Sequence, residues 1–281
     1  SSDASTTDVP RSWDQTTAQN LAGSPPRFSF SVSHKNRQWA AGVYTLPSRL
    51  YYSVNLDPED WTGATSGSID IDPNDGDMIV GLYSYKNDLF VFKGPNRLSI
   101  HRITGSAPAD FARTTFITGI SAAWHNAIAP FGDDVCFISP YGSIHGLKST
   151  SAYGDYNNSF LSYPIATYLR DSLNHTRHRF FNAVNYGNRG QVWFGVTPSG
   201  QTTNTRTLIM DYRFLNQDER YPRWSYLDTR AFASFGVVRD NTTARPRIMA
   251  GGYDGNIYRH DQSSRSDNGT AIPMNITTPA L

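Results

Sequence analysis

The sequence predicts an all-β protein, a β-propeller of about five blades. Three observations point there: a composition that suits pleated strands and starves helices, short apolar runs punctuated by turn residues, and a blade-sized repeat. Aromatic residues make up 13% of the 281-residue chain, with 16 Tyr and 15 Phe against 4 Met, and such side chains pack well on a pleated surface. The only glutamates are Glu59 and Glu219, and the only lysines are Lys35, Lys86, Lys93 and Lys148. Two of the strong helix formers are therefore nearly missing.

Residues 1–27 are rich in Ser, Thr and Pro and read as an extended N-terminal arm. The propeller is expected over 28–270, and 271–281 as a C-terminal exit segment. Within the propeller five units align: FSFSVSHKNRQWAAGVYTLPSRLYYSV (28–54), IVGLYSYKNDLFVFKGPNRLSIHRI (79–103), NAIAPFGDDVCFISPYGSIHGLKS (126–149), NAVNYGNRGQVWFGVTPSGQTTNTRTLIMDYRF (182–214) and ASFGVVRDNTTARPRIMAGGYDGNIYRHD (233–261). Each reads as strand, polar turn, strand, turn, strand. The turn residues Asn36, Asn87, Asp133, Arg189 and Arg245 are spaced by 51, 46, 56 and 56 residues, near the roughly 40 to 50 of a four-stranded blade. Fourth strands are expected at SIDID (68–72), RTTFITGI (113–120) and RWSYLDT (223–229). A β-sandwich with long insertions is the competing architecture. One short helix is expected near 164–174. Pro164 suits a first turn, and Ile165, Tyr168, Leu169 and Leu173 fall on one face, which should pack against the third blade.

A net charge of +1 and a pI near 7.8 give no global field to draw in nucleic acid or an anionic membrane surface. The apolar runs are too short to span a bilayer, so a soluble chain without membrane insertion is expected. The single cysteine, Cys136, excludes an intrachain disulfide; it lies in an apolar run and reads as a small core residue. The sequons at Asn157, Asn174, Asn241, Asn268 and Asn275 are what a chain rich in Asn, Ser and Thr produces.

Asp70, Asp72, Asn74, Asp75 and Asp77 invite a calcium test, because hard cations take oxygen ligands at alternate positions. The register fails: Asp75 stands where the loop needs Gly, and Gly81 where it needs the bidentate Glu. Pro73-Asn74-Asp75-Gly76 reads instead as a turn. The seven histidines lack zinc spacing; His175 and His178 read as residues of a helix end. Asp133, Asp134, Asp211, Asp254 and Asp261 are the carboxylates a glycosidase channel would have to gather, but several sit in turns, where Asp usually bonds its own backbone. No catalytic, cofactor-binding or metal-ligating residues are assigned, no cofactor is expected, and the chain is not expected to be an enzyme. Arginines mingle with aromatics in Arg220-Tyr221-Pro222-Arg223-Trp224 and in His175–Phe180, the residue types that anchor protein interfaces.

Taken in order, HKNRQWAAG with RLYYSVNLDPEDW, then IDIDPNDGDMIVGLYSYKNDLFVFKGPNRLSIHRITG, IAPFGDDVCFISPYGSIHGLKS to LSYPIATYLRD, LIMDYRFLNQDERYPRWSYLDT and IMAGGYDGNIYRHD resemble the propeller region of bacteriophage tail-hub, nozzle or "tail stabilization" proteins of short-tailed phages, over about residues 28–280. The resemblance implies a structural protein of the virion tail. It would form a homo-oligomeric ring near the DNA exit channel, bind adaptor, portal-proximal or other tail proteins, and touch genomic DNA only passively. Family members commonly carry further segments beyond the propeller, so this chain is expected to be a processed or excised part of a longer polypeptide. The alternative is a propeller that binds or cleaves host-surface glycans, motivated by Trp39, Trp61, Trp193 and Trp224 as exposed aromatics.

Overall fold

A computed structural model describes residues 9–21, 23–147, 160–215, 220–228, 230–239, 245–260, 266–267 and 270–271. The expected N-terminal arm contains a small hairpin of β1 (Arg11–Trp13) and β2 (Ala18–Asn20). Asp14 makes its turn by accepting hydrogen bonds from the backbone N–H groups of Thr16 and Thr17.

Five antiparallel meanders follow. The first sheet is β3 (Phe30–His34), β4 (Arg37–Ala41), β5 (Arg49–Tyr52) and β6 (Gly67–Asp70). The second is β7 (Met78–Tyr85), β8 (Asp88–Gly94), β9 (Ser99–Thr104) and β10 (Ala112–Thr118). The third has β11 (Ile128–Phe131), β12 (Asp134–Ile138) and β13 (Ile144–Gly146). The fourth has β14 (Asn182–Tyr186), β15 (Gln191–Val196), β16 (Arg206–Asp211) and β17 (Arg223–Leu227). The fifth has β18 (Phe232–Arg239), β19 (Pro246–Gly252) and β20 (Ile257–Arg259). In each sheet, spatial order follows chain order, and sheets pack on their neighbours mainly through their first strands: β3 on β7, β11 on β14, β14 on β18. That is the build of propeller blades. All three expected fourth strands are present, as β6, β10 and β17. Two further strands, β21 (Ser266–Asp267) and β22 (Thr270–Ala271), pair with each other.

The central turns have the chemistry their positions need. His34 pairs with Arg37 across Lys35 and Asn36, both at positive φ, the two-residue turn whose twist matches a hairpin. The helical segment is shorter than expected. A 3-10 turn at Tyr163–Ile165 leads into α1 (Ala166–Asp171), and a second 3-10 stretch runs over His175–Phe180. Asn174 begins that stretch, its side-chain oxygen accepting from the Thr176 N–H. Leu169 and Leu173 reach the core shared by the third and fourth sheets.

Three clusters fill the spaces between sheets. Trp39, Leu82, Phe92, Ile100 and Phe137 belong to the one between the first three. Val192, Phe194, Leu208 and Met210 join Cys136 and Ile138 in the next, and Trp193, Ile209 and Ile248 link the fourth and fifth sheets. Register decides each face. In the first sheet Phe30, Val32, Trp39 and Leu50 point toward the second, whereas Ser31, Ser33, Gln38 and Arg49 lie on the other face. The first sheet is therefore apolar on one side only.

Candidate interaction surface

The acidic stretch before β7 is organised by a lysine. Lys93 is fully buried on β8, and its Nζ donates to the carbonyl oxygens of Ile71 (2.7 Å) and Asp72 (2.9 Å) and to Asp75 Oδ2 (2.7 Å). Three oxygens around one buried ammonium satisfy its three donors. Asp77, also buried, caps the next turn by accepting from the N–H groups of Asn96, Arg97 and Leu98. Asp70 pairs with Arg49, and Asp72 with Arg113; each guanidinium holds its carboxyl below the usual carboxylate range. The loop is thus an internally neutralised turn.

Beside it, Ser99 Oγ lies 3.0 Å from His101 Nε2, and Asp72 Oδ2 lies 3.6 Å from the same nitrogen. A nucleophile, base and orienting acid need the two ring nitrogens to serve different partners. Here both crowd one nitrogen of a buried ring, so the trio is not a triad.

The carboxylates considered for a channel stay apart in function. Asp133 lies in the exposed β11–β12 turn, and the Asp134 carboxylate accepts from the Val135 N–H. Asp211 is held by Arg213. Asp254, in the β19–β20 turn, accepts from Tyr258 Oη and Asn256, which lowers its pKa to about 2. Asp261 lies outside the described residues. Among those, no group of three His, Cys, Asp or Glu side chains is placed to hold a metal ion. Burial pushes the Cys136 thiol well above its ordinary pKa, the state of an unreactive core cysteine. His175 sets one ring nitrogen against the Pro140 carbonyl and the other against that of Arg170, fastening the end of α1 to the β12–β13 turn. Of the sequons, Asn174 alone is described.

The tryptophans expected on the surface are largely inside. Trp39 and Trp193 are buried, and Trp61 and Trp224 are partly buried. Trp39 packs against Tyr52 and Phe111, and Trp193 meets Phe235 and His260 of the fifth sheet. A bulky ring on a strand facing a neighbouring blade gains more by burial than by exposure.

What does reach the surface is an arginine and tyrosine ledge along the outer edge of the fourth sheet. Tyr226, 61% exposed on edge strand β17, lies under the Arg206 guanidinium (4.7 Å), which also pairs with Asp228. Tyr163, 63% exposed, stacks on Tyr221 with ring centroids 5.1 Å apart. Arg223 and Arg213 both lie over Phe214. Exposed aromatic rings and an edge strand are thus brought together at one rim. The sequence pointed to this region through Arg220–Trp224 but gave no sign of Tyr163, which joins it by way of the helical segment 58 residues before Tyr221.

No family model and no curated protein matches the chain. A solved structure of BBS1N in complex with ARL6DN is similar over 88% of this chain and 81% of that chain, at 8% identity and a TM-score of 0.37. A likeness that loose bears on neither fold nor function.

Proposed function

We propose that the chain is a structural component of a bacteriophage tail, a nozzle, hub or adaptor-ring protein near the DNA exit channel that works by protein–protein assembly. The observation that carries the assembly part is the arginine and tyrosine ledge on β17. Rigid aromatic rings braced by guanidinium groups bury large area at small entropic cost, and an edge strand offers backbone groups to a partner. The tail part is supported by the ordered resemblance of residues 28–280 to tail-hub and nozzle propellers. The glycan reading loses two of its four motivating residues, since Trp39 and Trp193 are buried.

Mass spectrometry and cryo-electron microscopy of purified virions test this reading. The expected result is the chain in the tail, near the exit channel, with the β17 ledge against another tail protein. Its absence from the particle sinks the proposal. Tyr226→Ala with Tyr163→Ala should lower incorporation at least tenfold while leaving the circular dichroism spectrum unchanged.

A further inference from the structure

The turn that enters β5 and the loop that leaves β6 enclose a small open pocket. Thr45 to Arg49 form one wall and Asp70, Pro73 and Asn74 the other, around about 220 Å³. A space below the roughly 300 Å³ of a drug-sized site has room for one small ring. None of the four tryptophans considered for glycan contact lines it, and it belongs to the first sheet, whereas the arginine and tyrosine ledge belongs to the fourth.

Both walls are fixed before any ligand arrives. The Leu46 N–H donates to the Val43 carbonyl and closes one turn, and Ser48 Oγ donates to the Asp77 carbonyl (3.0 Å). The Ile71 N–H donates to the Ser48 carbonyl, tying the two walls together, while Lys93 holds the carbonyls of Ile71 and Asp72. A preformed wall spares a ligand the cost of ordering it.

Inside the pocket charge is cancelled, but hydrogen-bonding capacity is not. Arg49 Nε and Nη2 donate to the two Asp70 carboxylate oxygens at 2.7 and 2.8 Å. Further guanidinium hydrogens remain as donors beside the remaining carboxylate lone pairs, and the two side chains are 33% and 43% exposed. Thr45 and Asn74 add an exposed hydroxyl and an exposed amide whose side chains bond nothing else among the described residues. Leu46, Pro47 and Pro73 supply the apolar lining.

Each feature selects a class of ligand. An anion finds the pocket's one cation already paired, and a cation finds its one carboxylate paired likewise. A purely apolar ligand would strip water from these polar side chains and return no hydrogen bonds. A pyranose ring brings adjacent hydroxyls, each able to donate and to accept, on a carbon frame that packs against proline. We propose that this pocket binds one neutral sugar residue, two adjacent hydroxyls bridging the Arg49–Asp70 pair, further hydroxyls meeting Thr45 and Asn74, and the ring lying against Pro47 and Pro73. The inference does not rest on the assembly reading.

Amide-resolved NMR titration of the purified chain with methyl α-D-glucopyranoside, methyl α-D-mannopyranoside and methyl α-D-galactopyranoside provides the test. At least one of the three should bind with millimolar affinity and shift the amides of Thr45, Leu46, Arg49 and Asn74 most. Asn74 stands at φ +67°, so Asn74→Gly removes its amide group without straining the turn. Asn74→Gly and Asp70→Asn should each weaken that sugar at least fivefold, the worth of one hydrogen bond, with near-ultraviolet circular dichroism unchanged. Glucuronate should bind no better than the neutral glucoside. Silence of these amides toward all three sugars overturns the site, as does binding that ignores both variants. Tighter binding of glucuronate overturns the neutral class. Shifts of the same amides by N-acetylglycinamide but by no sugar overturn it too, giving the pocket to a peptide. None of these results touches the tail assignment, which the virion experiment decides alone.

Discussion

Lys93 shows how one side chain settles the character of a whole loop. Removing it leaves the Asp75 carboxylate and two carbonyl groups without their donor in a buried place, the costly way to break an ion pair. Lys93→Ala is expected to lower stability by about 3 kcal/mol in urea unfolding, and Asp75→Asn by less, since the carbonyl oxygens still hold the ammonium. Two histidines set the pH response. Burial lowers the pKa of His125 to about 4 and that of His145 to about 3. His125 accepts from the Leu82 N–H and stacks on Phe30, so both rings fold neutral. The unfolded chain binds protons near pH 6.5 and the folded chain does not. The stability these groups contribute is thus complete above pH 6.5 and drains away as pH falls toward 4, by at most roughly 3 kcal/mol for His125. Urea midpoints measured from pH 7.5 to 4.5 should fall accordingly, and His125→Gln should flatten the slope. Neither the lysine's role nor the tryptophans' was legible in the sequence. Lys93 stands 18 residues from Asp75, and its one visible sign was a charge directly after the apolar run Leu89–Phe92. The burial of Trp39 depends on Phe111, which arrives from the next sheet.

Strands and turns were far more legible, because their causes are local. Alternation along Phe30–His34 and Arg37–Ala41, with Lys35-Asn36 between them, dictates a hairpin without help from the rest of the chain. Fourth strands were legible for the same reason at β6, β10 and β17. The helical segment was overextended because Ser172 and Asn174 end it sooner than its apolar spacing suggests. Connections carry constraints of their own. Gly105, after β9, sits at φ +98°, and a Cβ there would strike the Asp110 carbonyl oxygen, whose side chain caps Ser106 and Ala107. Gly105→Ala should cost about 2 kcal/mol, through both the positive φ and the clash. Asp110→Ala, which removes the cap alone, should cost less. Thermal unfolding of the two variants separates these effects.

Across the molecule, protection is graded. The second sheet has neighbours on both faces, and the inner strands β7 and β8 are mostly buried, whereas seven of the eight β18 residues are partly or fully exposed. Hydrogen–deuterium exchange should therefore be slowest in β8 and at least a hundredfold faster in β18 of the isolated chain. That sheet is a hazard, because an apolar strand open to water is a template for indiscriminate stacking. Arg247 and Arg259 interrupt Val238, Met249 and Ile257 on one face, as charged gatekeepers interrupt aggregation-prone segments. Their second effect would be on yield: two charges set among the apolar side chains keep a newly made chain dispersed.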